Sequence, residues 1–166
     1  MIRPHPSTRQ KGAVLVELSV ILPLLLLLSF ATLEFAKAIT AYKTLVNQVR
    51  IAARHLANLT PGAGHVSADC IVRYGVVSNT APCGGALLMP GLAGAVVTVS
   101  DAANAPSTHR AQSTTSGTGA VTVNLVTVQV SSYVHPLASA GFLTGIFRGK
   151  TSISFGPISA TMRQVL

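Results

Sequence analysis

Apolar residues dominate one long stretch near the start of the chain. From Ala13 to Leu33 the only charged side chain is Glu17. As an α-helix this stretch would rise about 31 Å, which is enough to cross the hydrocarbon core of a bilayer. Pro23 removes one backbone donor inside it, which membrane helices tolerate with a bend. The pattern therefore predicts a transmembrane helix over residues 13–35, with a kink near Pro23.

After this span the pattern becomes amphipathic, and no helix breaker separates the two parts. Apolar residues recur at helical spacing on one face and polar residues recur on another. The apolar set is Ile39, Tyr42, Leu45, Val49, Ala52 and Leu56, and the polar set is Lys43, Asn47, Arg50 and Arg54. Asn58, Thr60, Pro61 and Gly62 then provide a stop. We expect the helix to continue through residues 36–58 and to pack its apolar face on the remaining chain.

Beyond Gly62 apolar and small polar residues alternate, as they do in strands. The strand-like runs lie at residues 95–100, 121–134 and 151–162, and they are rich in Val, Ile and Thr. The apolar phase shifts near Asn124 to Val126, which predicts a bulge or break there, and it shifts again at Gly156 and Pro157.

The stretches between these runs have a different composition. Residues 101–120 hold few apolar side chains and are expected to form an exposed loop, and residues 134–150 an irregular connection. The predicted fold class is α+β. A long N-terminal transmembrane helix continues as an amphipathic helix and packs on a small C-terminal antiparallel β-sheet, which belongs to one β-rich domain over residues 59–166.

Charge sets the expected orientation of the span. Twelve Lys and Arg residues outnumber four Asp and Glu residues, giving a net charge of +8. Arg3, Arg9 and Lys11 lie just before the span, so the positive-inside rule places residues 1–12 in the cytoplasm and residues 59–166 outside. Glu34 and Lys37 can pair at the outer end of the span, where they are expected to mark the membrane boundary. The other basic residues are scattered, so we expect no nucleic-acid partner.

The two cysteines lie on the predicted outer side. Cys70 and Cys83 enclose twelve residues, in a compartment that permits oxidation. We expect a disulfide that closes loop 70–83 and contributes about 3 kcal/mol by the loop-entropy model. Two free buried thiols are the alternative.

No pattern in the sequence supports catalysis. The five His residues are widely separated, and none has metal-ligand spacing with Cys, Asp or Glu. Asp69 and Asp101 are the only carboxylates beyond the predicted boundary, and their spacing supports neither an acid/base pair nor a hydrolytic triad. We therefore expect a protein that is not an enzyme and that holds no metal or cofactor.

The N-terminal part resembles a known family. Gly12, four small or apolar residues, Glu17, an apolar helix, the EFAKA sequence at residues 34–38 and the amphipathic extension resemble the TadE-like pseudopilins of tight adherence (Flp-type) pilus systems. The C-terminal VTVQVSSYVHPL, a Gly-rich connection and ISATM look like the closing strands of the same family. The resemblance implies a pilin-like minor pseudopilin, held in the inner membrane with a periplasmic domain. It also implies a role in assembling a pilus for surface adherence and biofilm formation.

The resemblance further implies a processing site and an assembly residue. A prepilin peptidase would cleave between Gly12 and Ala13 and remove residues 1–12, and a glycine offers least steric resistance to a peptidase cleft. In pilin-like proteins a carboxylate at the place of Glu17 pairs with the N-terminal amine of a neighbouring subunit, and such a pair offsets two unfavourable burials. The implied partners are this peptidase, other pilins and pseudopilins, and the inner-membrane assembly platform.

Two alternatives stay open at the level of sequence. Glu17 could simply extend toward the cytoplasmic headgroups, near the basic tail. Ala36, Lys37 and Ala38 form an A-x-A pattern, so residues 1–38 could be a signal peptide, cleaved after Ala38 to leave a small secreted or membrane-anchored adhesive or binding domain. The apolar region exceeds the usual length of about 7–15 residues, and Glu34 and Lys37 crowd that cleavage site. Both features favour retention of the span.

Overall fold

A single long helix forms the N-terminal part of the molecule in a computed structural model, which describes residues 10–116, 119–137, 149 and 151–164. This helix, α1 (Gln10–Ala57), contains 48 residues and is about 72 Å long. It ends directly before the predicted stop, and Pro23 lies inside it. The apolar stretch and the amphipathic extension are therefore one helix, as predicted.

The rest of the described chain forms a small antiparallel sheet with short helices around it. Its elements are α2 (His65–Tyr74), a 3-10 turn (Leu92–Gly94), β1 (Val96–Ser100), α3 (Pro106–His109), β2 (Gln112–Ser116), β3 (Gly119–Ser131), β4 (Val134–Pro136), β5 (Ser152–Ser154) and β6 (Ile158–Gln164). β3 pairs with β1, β2 and β6, and β4 pairs with β5. All these pairs are antiparallel. The predicted α+β fold class is confirmed.

The core lies between the upper half of α1 and one face of the sheet. The α1 side chains in it are Leu45, Val49, Ala52 and Leu56, and the β3 side chains are Val126, Val128 and Val130, none more than 1% exposed. α2 closes the side of this core with Ala68, Ile71 and Val72. Burial of each Leu or Val contributes about 1.5–3 kcal/mol, so the predicted apolar face of α1 holds the domain on the helix.

The lower end of that apolar face is less buried than the upper end. Ile39 and Tyr42 are 38% and 43% exposed. Tyr42 still contacts the domain, because its ring stacks on Phe155 at a centroid distance of 5.7 Å, and Phe155 stacks on Tyr133 at 5.5 Å. This aromatic row attaches the domain to α1 below the aliphatic core.

The predicted bulge near Asn124 to Val126 is wrong. β3 pairs with β6 residue by residue from Asn124 to Val130. Residues 119–123 pair with β2 instead, and the shift of the apolar phase coincides with this change of partner strand. The later shift at Gly156 and Pro157 does separate two strands, β5 and β6, as predicted.

The expectation of an exposed loop over residues 101–120 is also wrong for most of its length. α3 and β2 form there, and β3 begins at Gly119. β2 consists of Gln, Ser and Thr residues, and it is held by backbone hydrogen bonds to β3. Apolar periodicity cannot reveal such a strand. Of the predicted irregular connection, residues 134–136 form β4, and residues 138–148 and 150 lie outside the described residues.

α2 is an element that the sequence reading missed, since only strands are predicted beyond Gly62. It is flanked by two glycines with left-handed backbone conformation, Gly64 (φ 76°) and Gly75 (φ 71°). The Gly75 N–H donates a hydrogen bond to the Ile71 carbonyl oxygen. Ala68, Ile71 and Val72 stand at helical spacing between these glycines. That combination was the available signal for the helix.

Candidate membrane span and assembly helix

The lower half of α1 extends away from the domain. The most apolar 18-residue segment of α1 is 0% buried. By length and composition, α1 is the one described helix that could cross a membrane. Val14, Leu15 and Leu24 are 61–66% exposed. Such a continuous apolar surface far exceeds what soluble monomers leave open to water. The helix indicates a membrane-anchored protein with a single span among the described residues.

The predicted processing and assembly residues lie together at the N-terminal end of the described part of this helix. Gly12, Ala13 and Glu17 are all exposed. A Cβ added at Gly12 would meet nothing within 4 Å, so packing within the chain does not require a glycine there. Among the side chains that the structure describes, Glu17 has no ion-pair partner. This end of α1 is therefore open to another molecule.

Glu34 and Lys37 lie where the domain begins to cover α1. The Lys37 ammonium donates a hydrogen bond to Glu34 Oε1 at 3.2 Å, which forms the expected pair. Glu34 is only 3% exposed and Ala38 only 4%, so the pair is not a simple surface contact. The domain packs onto α1 down to the predicted membrane boundary. The boundary itself stays a prediction.

A buried carboxylate joins the end of α1 to the end of β1. Asp101 is 1% exposed. Its oxygens accept hydrogen bonds from the backbone N–H groups of Gly62 (2.8 Å), Ala103 (2.9 Å) and Asn104 (3.1 Å), and Oδ2 lies 2.7 Å from His65 Nε2. Sequence reading treated Asp101 only as an isolated carboxylate, because its main partners stand more than thirty positions away.

The Asp101 cluster, meaning Asp101 with His65, Gly62, Ala103 and Asn104, favours the ionised carboxylate. Burial raises the pKa of Asp101, but the hydrogen bonds from His65 and the three backbone amides outweigh burial and lower the pKa to about 2. The ionised side chain therefore fixes the turn between α1 and α2 against the sheet. Its role is structural.

A second set of contacts holds α2 to the following loop. Cys70 and Cys83 form a disulfide, which confirms the predicted pairing, and both are buried. Arg73 Nε donates to Asp69 Oδ1 at 2.7 Å, and Arg73 Nη2 donates to the Ala95 carbonyl oxygen at 2.6 Å. The side chain of Asp69 is thus engaged in a structural contact, like that of Asp101.

The described residues contain no arrangement typical of a metal site. No group of three or more His, Cys, Asp or Glu side chains within them could hold a metal ion. Polar contacts join the end of α1 and the helix α2 to residues on either side of β1. The lower half of α1 is the apolar surface that these contacts leave uncovered.

Comparisons with known proteins bear on this helix. Searches of curated proteins and of solved structures found no significant match. A family model described as TadE-like protein matches residues 12–54. The match begins at Gly12, includes Glu17 and ends at Arg54, near the end of α1. Over the membrane span and the helical extension, the chain is therefore similar to TadE-like protein.

Proposed function

We propose that this protein is a minor pseudopilin that takes part in assembling a Tad/Flp-type pilus for surface adherence and biofilm formation. The observation that carries the proposal is the TadE-like match over residues 12–54, a family that suggests a role in the Tad pilus system. Within this match the chain has an exposed apolar helix, and between Ala13 and Leu33 that helix carries a single carboxylate, Glu17. In this role the protein is a structural subunit and the substrate of a peptidase.

Processing occurs between Gly12 and Ala13 in this proposal. α1 is described from Gln10 onward, so the bond lies near the N-terminal end of the described helix. Gly12 weakens the helix at this point by about 1 kcal/mol relative to alanine. Local unwinding would give a prepilin peptidase the extended backbone that its cleft requires.

Glu17 then acts in assembly. Cleavage leaves an amino group on Ala13, four positions before Glu17, and therefore on the same face of α1. An ionised carboxylate inside a membrane helix costs about 2.5–3.5 kcal/mol on insertion scales. Pairing of Glu17 with the amine of a neighbouring subunit offsets this cost. The pair would favour helices that enter the filament in one register.

The proposed orientation has the N-terminus in the cytoplasm and the sheet domain in the periplasm. Arg3, Arg9 and Lys11 support it through the positive-inside rule. The disulfide between Cys70 and Cys83 supports it as well, because disulfides persist in oxidising compartments. From the inner membrane the subunit can interact with the assembly platform and with other pilins.

The packing of α1 argues against a signal peptide cleaved after Ala38. Such cleavage would cut α1 within its helical length and remove Glu34 and Ala38, both buried in the structure. The secreted domain would also lose the helix segment that connects it to the span. Retention of residues 13–38 is therefore the better-supported form.

The N-terminal sequence of the mature protein, determined by mass spectrometry in cells that make the pilus, tests this proposal. A start at Ala13 is expected. A start at Ile39 would show a secreted domain, and an intact Met1 a plain membrane anchor. Gly12→Ala should accumulate the unprocessed precursor. Gly94→Ala is a matched control, because a Cβ added at Gly94 also meets nothing within 4 Å, and it should be processed normally.

A further inference from the structure

Three basic side chains line up on the outer face of α1. Lys43, Arg50 and Arg54 stand at positions i, i+7 and i+11, with Asn47 between them at i+4, and all four are exposed. This spacing places them on one helix face. We call these four residues the basic stripe. The face opposite to the basic stripe carries Ala52 and other residues into the core, so the basic stripe points away from the domain.

The acidic side chains of the chain itself cannot neutralise the basic stripe. The whole sequence contains four. Three are already paired, as Glu34–Lys37, Asp69–Arg73 and Asp101–His65. The fourth, Glu17, lies in the proposed span. A second copy of the chain would therefore bring no spare acidic side chain to the basic stripe, and the complementary charge has to come from a different molecule.

The upper part of the basic stripe, Arg50 and Arg54, is separated from lipid headgroups by its position along α1. Counted from Glu34 at the predicted boundary, Lys43 and Arg54 lie about 14 Å and 30 Å further along the helix axis. The headgroup layer extends only about 5–8 Å beyond the hydrocarbon core, and charges are screened over about 8 Å. A typical tilt of about 20° changes these heights little. Phosphates of the bilayer therefore do not reach the upper part of the basic stripe.

Exposed apolar residues lie on both sides of the basic stripe. Ile39 is 38% exposed and Ile51 is 44% exposed, and helical spacing puts them on opposite flanks of it. Mixed apolar and charged surface is typical of contacts with another helix. It fits a protein partner better than a free polyanion.

We propose that the basic stripe docks an acidic helix of a different membrane-anchored subunit that rises beside α1. This inference rests on the proposed function, because it takes residues 13–35 as the span and the chain as part of a multi-subunit assembly. Partner carboxylates at the same i, i+7, i+11 spacing would form three ion pairs at once. An exposed pair changes affinity by about 1.4- to 5-fold, so three pairs contribute about tenfold. Their main effect is to select the partner and its register.

Photo-cross-linking in piliated cells tests this contact. A photoreactive amino acid in place of Asn47 should give an adduct with a different protein, and mass spectrometry should place the cross-link beside Asp or Glu residues. Lys43→Glu/Arg50→Glu/Arg54→Glu should lower the adduct yield about tenfold or more at an unchanged membrane level. Lys43→Arg/Arg50→Lys/Arg54→Lys should retain it. The matched control is Arg110→Glu/Arg163→Glu, since both side chains are exposed on the sheet domain, and it should also retain the adduct.

Several results would overturn the docking proposal. They are an adduct with a second copy, an adduct with lipid, no adduct in piliated cells, and an adduct that survives the triple charge reversal. A different pair of results would show that the proposed function is wrong while the docking contact is real. Cells that lack this chain would remain fully piliated, and the cross-link to an acidic subunit would still form and would still be lost on charge reversal.

Discussion

Replacement of Asp101 by Asn tests whether one buried carboxylate holds the domain to the end of α1. The ionised side chain accepts hydrogen bonds from three backbone amides and contacts His65. A pKa of about 2 for Asp101, against the ordinary value of 3.8, corresponds to about 2 kcal/mol of folding stability. The amide of Asn also turns an NH2 group toward a donor, which adds a further loss. We expect Asp101→Asn to lose about 2–4 kcal/mol.

The contribution of Asp101 to folding stability should decrease as the pH falls. The pKa of Asp101 is lowered in the folded state, so its contribution is complete above the unfolded pKa of about 3.9 and is lost as the pH falls toward 2. Between pH 4 and pH 2, the free energy of unfolding of the wild type should therefore fall by about 2 kcal/mol more than that of Asp101→Asn. Urea unfolding of the full chain in non-ionic detergent, followed by the near-UV circular dichroism of its tyrosines, measures this difference.

A matched control separates the Asp101 cluster from ordinary surface charge. Asp69 also pairs with a basic residue, Arg73, but its side chain is 39% exposed. Exposed pairs contribute about 0.2–1 kcal/mol, so Asp69→Asn should cost less than about 1 kcal/mol. Equal losses for the two variants, or identical pH dependence of the wild type and Asp101→Asn, would refute the structural role assigned to Asp101.

Three other changes address assembly, the disulfide and the core. Glu17→Ala should insert and be cleaved normally but fail to support piliation, as counted by electron microscopy, and normal piliation would contradict its assembly role. Cys70→Ser/Cys83→Ser should lower the free energy of unfolding by about 3 kcal/mol, and an unchanged value under non-reducing conditions would argue against the loop constraint. Leu56→Ala should cost about 2–5 kcal/mol because Leu56 is 1% exposed, whereas Ile51→Ala, at an exposed site of α1, should cost less than about 1 kcal/mol.

The sequence predicted α1 and its packing because both depend on residues close together in the chain. Leu45, Val49, Ala52 and Leu56 repeat at helical spacing and are all buried. The strands β1 and β3 were recognisable for the same reason, through alternation of Val with polar residues. Local periodicity was sufficient wherever apolar burial determined the structure.

Elements held by polar or distant contacts could not be predicted in the same way. β2 has no apolar face, since it is Gln112–Ser116 paired with β3 through its backbone. The contact between Asp101 and His65 spans 36 positions, and no spacing rule connects them. The alignment of Lys43, Arg50 and Arg54 was visible as a polar helix face. The sequence could not show that these basic residues have no acidic partner within the chain. The structure shows it, because the acidic side chains outside the span are paired elsewhere.

Glu17 and the basic stripe together predict one register between α1 and the helix of a neighbouring subunit. If Glu17 takes the amine of a neighbouring subunit, the neighbour's first mature residue lies level with Glu17, four residues above Ala13. Parallel helices are then offset by about 6 Å along the axis. The partner carboxylates that meet Lys43, Arg50 and Arg54 should therefore stand four positions earlier in the mature partner than these residues do in this chain. Cross-links from position 47 that map to one such register would connect both contacts in a single assembly step. Cross-links spread over many registers would mean that the Glu17 pair does not set the alignment of the upper helix.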